Sequence, residues 1–156
     1  MTSNHRWLVR LACLVVAGGL VAMPRAAWAH AVFVKNSRVA PNTDQKLTMN
    51  VPEEKGAGVH NTKVVVVVPG GFTVSGCDQR PDFSCAISPA SEGRTLVTFT
   101  RTTGADPDGR FAFSVHTPGQ AGGYPFNTNQ TYSDGSTVHW DGPPDSDAPA
   151  PVLQVG

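Results

Sequence analysis

The sequence predicts an all-β protein in which two antiparallel sheets pack face to face. Three observations predict it. Short stretches alternate polar and apolar residues, as in 46–51 and 94–100, which is the period of a half-buried strand. Turn signals punctuate the chain, among them Pro69-Gly70-Gly71, Asp106-Pro107-Asp108-Gly109 and Ser133-Asp134-Gly135. No segment sustains a helical period. Together these give about seven to nine short strands and an immunoglobulin/cupredoxin-like β-sandwich.

The chain starts with a segment of a different kind. Arg6 and Arg10 precede an uncharged, largely apolar stretch over 11–23; Pro24 breaks it, and Ala27-Trp28-Ala29 follows. This is the layout of a secretory leader over 1–29 with cleavage after Ala29. The apolar stretch is short for a membrane span. Cys13 suggests a lipoprotein, but Arg10 stands where a lipobox needs an aliphatic residue. There is no adjacent arginine pair, so ordinary Sec export to the periplasm or exterior is expected. Cleavage leaves 127 of the 156 residues, 30–156, which suits one domain with a modest core.

The strands expected in the mature chain run in order. Residues 30–34 form the first, directly at the cleavage point, and 46–51 the next. Residues 62–68 hold five consecutive valines and read as a central strand buried on both faces. A short strand at 72–74 leads into the segment between Cys77 and Cys85, which reads as a loop. Residues 94–100 and 111–115 follow, with a turn between them. Residues 124–131 and 137–140 flank a hairpin turn. A tail rich in proline and aspartate ends in a candidate edge strand at 151–155.

Charge excludes one class of partner. The leader holds three arginines and no acid, so the mature chain carries nine basic and twelve acidic residues, a net charge of −3 with histidines neutral. It has no basic run of the kind that binds nucleic acid. Two cysteines remain, Cys77 and Cys85. In an exported domain an even count reads as a disulfide, with a pair of thiolate metal ligands as the rival reading.

Three groups bear on chemistry. Removal of the leader makes His30 the first residue, and its α-amine and ring Nδ1 then form a chelating pair. Such nitrogen donors suit Cu(II). Both must be deprotonated, so binding weakens in acid. The plain alternative is that any residue can follow a cleavage site. Glu53 and Glu54 lie where Pro52 ends a strand; a carboxylate there would complete a tetragonal set, and the alternative is a solvated acidic loop. His139 and Trp140 fall on opposite faces of their strand, so they do not serve one site together. A tryptophan at a strand end ordinarily packs in a core or rim. His60 and His116 read as solvated or hydrogen-bonded.

An ordered set of short motifs completes the reading. After the Ala29-His30 junction come Val51-Pro52-Glu53-Glu54-Lys55, Thr62-Lys63-Val64 and Phe111-Ala112-Phe113. Then come Gln130-Thr131-Tyr132-Ser133-Asp134-Gly135, Val138-His139-Trp140 and a proline-containing tail. Across the mature chain this set resembles the YcnI-like family of exported copper-binding domains. The resemblance implies a mono-histidine brace. Cu(II) is held by the amine and ring of His30 and by a glutamate, with Trp140 beside the metal. The glutamate of the family motif aligns with Glu54, while Glu53 occupies a variable position and is the alternative ligand. The chain departs from its relatives in two respects. Many have a tryptophan mid-domain where this chain has Cys77 and Cys85, and some carry a C-terminal membrane anchor where this chain stops at Gly156.

The function this implies is copper trafficking or homeostasis, with a copper ion and other exported copper-handling proteins as partners, and no catalysis. After cleavage Met49 is the single methionine, so a sulfur-rich Cu(I) site is not expected. Two alternatives come from other classes. One is a copper-dependent oxidase, which needs a second histidine that no motif here supplies. The other is a metal-free immunoglobulin-like interaction module, which the fold permits.

Overall fold

The computed structural model describes residues 30–104 and 109–156. The leader expected over 1–29, and most of the turn expected at 106–109, lie outside the described residues. Among these residues there are twelve strands and one turn of 3-10 helix, Ser91–Gly93. The strands are β1 (Val32–Phe33), β2 (Arg38–Val39), β3 (Asp44–Asn50), β4 (Asn61–Val68), β5 (Thr73–Cys77) and β6 (Phe83–Pro89). They continue as β7 (Thr95–Arg101), β8 (Arg110–His116), β9 (Gly122–Pro125), β10 (Thr128–Tyr132), β11 (Thr137–Trp140) and β12 (Val152–Val155).

Two antiparallel sheets make the sandwich: one in the order β1-β3-β8-β5, the other in the order β11-β10-β4-β7-β6. A small third sheet, β2-β12-β9, closes one side. It contains a parallel pair, β2 with β12. Alternation decides which residues face inward. From the first sheet Leu47, Met49, Phe111, Phe113 and Val115 are buried; from the second, Val64, Val66, Val68, Val97 and Phe99. Aromatic edges and faces meet across the gap, Phe111 lying 5.0 Å from Phe83 and 4.9 Å from Phe99 between ring centroids. Phe126 gathers a second cluster, 5.1 Å from Phe33 and 5.2 Å from Phe72. Among the described residues, buried hydrophobic side chains from Ala31 to Val155 pack into one cluster. Among the described residues no helix is long and apolar enough to cross a membrane.

Twelve strands stand among the described residues where about seven to nine were expected, the excess coming from short pieces such as β2 that carry no alternating pattern, and three further details differ from the sequence reading. The valine strand β4 is central, between β10 and β7, but only one face is fully buried. Val65 and Val67, on the other face, are half-buried. Second, the strand expected over 124–131 is two strands in different sheets. β9 pairs with β12 up to Pro125, which has no N–H to carry the ladder on. Phe126 then turns into the core, its N–H donating to the Pro151 carbonyl at 2.8 Å, and β10 begins beside β4.

Third, the segment between the cysteines is more than a loop. From Phe83 it is strand β6, paired with β7 along its whole length. Its small alternating residues Ser84, Cys85, Ala86 and Ser88 carry too weak an apolar pattern to announce a strand. The exposed edge of β6 is partly occupied from within. The side-chain amide of Gln79 accepts from the Cys85 N–H at 2.9 Å and donates to the Cys85 carbonyl at 2.8 Å, standing in for a neighbouring strand.

Cys77 and Cys85 are joined by a disulfide. Cys77 ends β5 at the edge of one sheet, and Cys85 lies in β6 at the edge of the other, so the bond staples the two layers at one side. With a sequence separation of 8, the closed loop should stabilise the fold by about 2–3 kcal/mol through the unfolded chain's entropy. The Cys77→Ser/Cys85→Ser double variant is therefore expected to lose that amount in urea unfolding with the native circular dichroism retained. A loss under about 0.5 kcal/mol would contradict the staple.

Candidate functional site

His30 stands at the entrance to β1. Ala31 beside it is buried, which ties this end of the domain into the core. β1 pairs antiparallel with the end of β3, Val32 opposite Asn50, so His30 lies beside the β3 exit at Val51, Pro52, Glu53 and Glu54. Trp140 ends β11 opposite Thr128 and points inward, 1% exposed, while His139 points outward. The His30 and Trp140 rings lie 6.0 Å apart between centroids, tilted by 59°. His30 also opens onto a cleft of about 410 Å³ bounded by residues 30–33 and the proline-rich tail.

A buried polar chain runs behind this pair. The Trp140 indole N–H donates to Gln130 Oε1 at 2.9 Å. Gln130 Nε2 donates to Asn61 Oδ1 at 2.7 Å and to the Pro52 carbonyl at 2.8 Å. Asn61 Nδ2 donates to the Val51 carbonyl at 3.2 Å, and the Asn61 backbone N–H donates to Glu53 Oε1 at 2.7 Å. Gln130 and Asn61 are both buried. Sequence reasoning passed over both, although a signal for Gln130 was present. Phe126, Thr128, Gln130 and Tyr132 share one parity, so a strand that buries Tyr132 must also bury Gln130.

The two glutamates have different lives. Glu53 is held from three sides: Arg101 donates to its Oε1 at 2.5 Å, the His60 ring Nδ1 lies 3.0 Å from its Oε2, and the Asn61 N–H meets Oε1. Arg101 also donates to the Asn61 carbonyl and lies over the Phe83 ring, 4.8 Å from its centroid. That carboxylate is consumed by the fold. Glu54 is exposed and takes part in none of the ion pairs among the described residues. Its backbone is hydrogen-bonded to the buried Tyr132 phenol. Burial pushes that phenol's pKa up, the hydrogen bond pulls it down, and the charges of Glu54, Glu53 and Asp134 add to the rise.

Lys55 anchors the other side of the segment. It donates to Asp134 Oδ2 at 3.1 Å and lies 5.3 Å from the Tyr132 ring centroid. Hydrogen bonds from the Ser136 hydroxyl and backbone N–H, and then from Lys55, lower the Asp134 pKa to about 2. Its folded-state pKa is depressed, so its contribution to stability is complete above its ordinary value of 3.8 and is lost as pH falls toward about 2.

Of the residues expected in the site, His30 and Trp140 are brought together. Glu54 comes one residue after Glu53 beyond the Val51 and Pro52 carbonyls that the Gln130 network holds, and it is exposed. Cys77 and Cys85 are elsewhere, since β5 and β1 are opposite edges of one sheet, about 14 Å apart at three strand spacings. The remaining described histidines have partners of their own: His60 on Glu53, His116 on Asp44 at 2.8 Å and His139 on Asn129 at 2.6 Å. No three His, Cys, Asp or Glu side chains converge on one point among the described residues.

The architecture is that of an immunoglobulin-like β-sandwich. A crystal structure of an uncharacterized protein from Nocardia farcinica, reported to have an immunoglobulin-like fold, is similar with a TM-score of 0.69 at 24% identity, covering 81% of this chain and 98% of that one. A cohesin module from a Clostridium perfringens family 33 glycoside hydrolase has a TM-score of 0.58 at 8% identity, covering 81% and 93%. The chain itself belongs to the family described as Domain of unknown function (DUF1775), whose model matches residues 30–155; this is the YcnI-like family. Copper-binding protein CutI of Bacillus subtilis is 29% identical over 146 residues, which are 92% of this chain and 70% of that protein.

The contrast between the glutamates can be measured. Glu53→Gln leaves Arg101 without its counter-charge in a half-buried place and is expected to cost about 2–3 kcal/mol in urea unfolding. Glu54→Gln should stay within about 0.5 kcal/mol. Equal costs would contradict this division. For Asp134, a carbon-detected NMR titration of its carboxyl should give a midpoint near 2, and a Lys55→Met variant should raise it.

Proposed function

We propose that this protein is an exported Cu(II)-binding protein of copper trafficking or homeostasis. Removal of 1–29 exposes the amine of His30. That amine and the His30 ring hold the copper ion, Glu54 supplies an oxygen donor, and Trp140 walls the metal on one side. The observation that carries this reading is the His30–Trp140 contact at 6.0 Å, formed where the chain start meets the β3 exit. The copper-binding name of the Bacillus subtilis relative supports the metal. The donor chemistry supports the oxidation state, because two nitrogens and a carboxylate favour Cu(II) over Cu(I), which prefers sulfur donors.

Glu54, and not Glu53, is the carboxylate in this reading. Glu53 would have to abandon Arg101, His60 and the Asn61 N–H to reach a metal. Glu54 gives up only water. The site binds and does not catalyse in this reading. A two-histidine oxidase site would need one of His60, His116 or His139 to leave its present partner and join His30.

The test is a Cu(II) titration of the protein beginning at His30, in which Trp140 is the single tryptophan. Quenching of its emission should saturate at one equivalent, and binding should fall off as pH is lowered and both nitrogens protonate. One extra residue placed before His30 removes the amine chelate and keeps every side chain, and it should abolish tight binding. Equal binding by both forms would refute the brace.

A further inference from the structure

The geometry points to Gln130 as a positioning residue that couples the Trp140 indole to the Val51–Pro52 strand exit, so that the two walls of the site move as one unit. The inference rests on the copper reading for its consequence, but the coupling itself is a property of the chain alone.

Donors and acceptors fix the orientation of the amide. The indole N–H only donates, so the Gln130 oxygen must face Trp140. The Pro52 carbonyl only accepts, so the Gln130 nitrogen must face the strand exit. The amide therefore has one permitted orientation and cannot flip. Asn61 is fixed by the same logic: its nitrogen faces the Val51 carbonyl, and its oxygen takes the second Gln130 N–H. The result is a directional relay from the indole N–H through two buried amides to the two consecutive carbonyls just before Glu53 and Glu54.

Each link lacks a substitute. Gln130 is 0% exposed and Asn61 1%, so water does not replace a broken bond. Turning the indole would orphan Gln130 Oε1, and shifting the exit would orphan an N–H or a carbonyl. Either costs more than the hydrogen bond is worth in solution. Packing the β-sandwich requires none of this. Of the neighbouring inward residues of β10, Thr128 turns its hydroxyl back to the Phe126 carbonyl two residues away, and the Tyr132 phenol meets the Glu54 backbone without touching Trp140 in any hydrogen bond among the described residues. Among the described residues Gln130 is the side chain that hydrogen-bonds both the tryptophan and the exit.

The experiment compares Gln130→Met, which keeps the volume and removes both ends of the relay, with Val115→Ala, a core change in β8 away from the site. Both are made in the protein beginning at His30. Without copper, Gln130→Met should move the Trp140 indole N–H resonance and the Glu53 and Glu54 amide resonances together, while Val115→Ala moves none of them. With copper, Gln130→Met should keep one-equivalent stoichiometry and lose roughly tenfold or more in affinity, the scale on which supporting residues act on a metal site. It should also change the Cu(II) electron paramagnetic resonance parameters. If Gln130→Met does not fold, Gln130→Glu keeps an acceptor for the indole N–H, removes the amide N–H donors to the Pro52 carbonyl and Asn61, and is read in the same way. An indole resonance that moves while the Glu53 and Glu54 amides stay put overturns the coupling. Unchanged copper affinity in Gln130→Met overturns the positioning role. A parent protein that binds no copper refutes the copper reading instead, and the copper-free resonances then decide the coupling alone.

Discussion

The buried amide of Gln130 is the constraint on which the rest of this site depends. An amide inside an apolar sandwich is tolerated only when its hydrogen-bonding groups are matched. Here the matches come from β11, from the start of β4 and from the exit of β3. Those segments are far apart in sequence, and no local preference brings them together. Once the amide is buried its partners have little freedom, and they include both the tryptophan and the carbonyls that precede the two glutamates.

The segment from His30 to Phe33 is set by a different force. Ala31 and Phe33 are drawn in by burial, and β1 adds only two residues of ladder to β3. Phe33 meets Phe126 edge to face, and Phe126 is itself placed by the switch between β9 and β10. The small β2-β12-β9 sheet, which alternation in the sequence did not suggest, thereby supports the strand that presents His30. Its register depends on the Pro125 break and on the tail returning as β12.

Electrostatics sorts two chemically identical neighbours into different roles. Glu53 and Glu54 are adjacent on the chain, yet Glu53 is enclosed by Arg101, His60 and a backbone N–H while Glu54 faces water. A carboxylate with a half-buried guanidinium and two further partners is part of the scaffold. A carboxylate without them is available to a ligand. Lys55 and Asp134 hold the far end of the same segment, so Glu54 projects from a stretch pinned on both sides.

By itself the sequence determined the layered all-β architecture. Alternation in 46–51 and 94–100, the valine run and the Gly- and Pro-marked turns are local signals, and strand period and turn chemistry are local physics. It also determined that His139 and Trp140 face opposite ways, and it placed the motifs that mark the family. Only the tertiary structure decided which strands share a sheet, that residues 83–89 extend one of them, and that the strand expected over 124–131 divides between two. Only it decided that Glu53 is spoken for, because the guanidinium that claims it is 48 residues away. Parity alone turns Gln130 inward, but what it does there depends on Asn61, 69 residues distant, and on an indole ten residues on. Pairings of that range are settled by burial and by the cost of leaving a polar group unmatched, and neither quantity exists until the chain has folded.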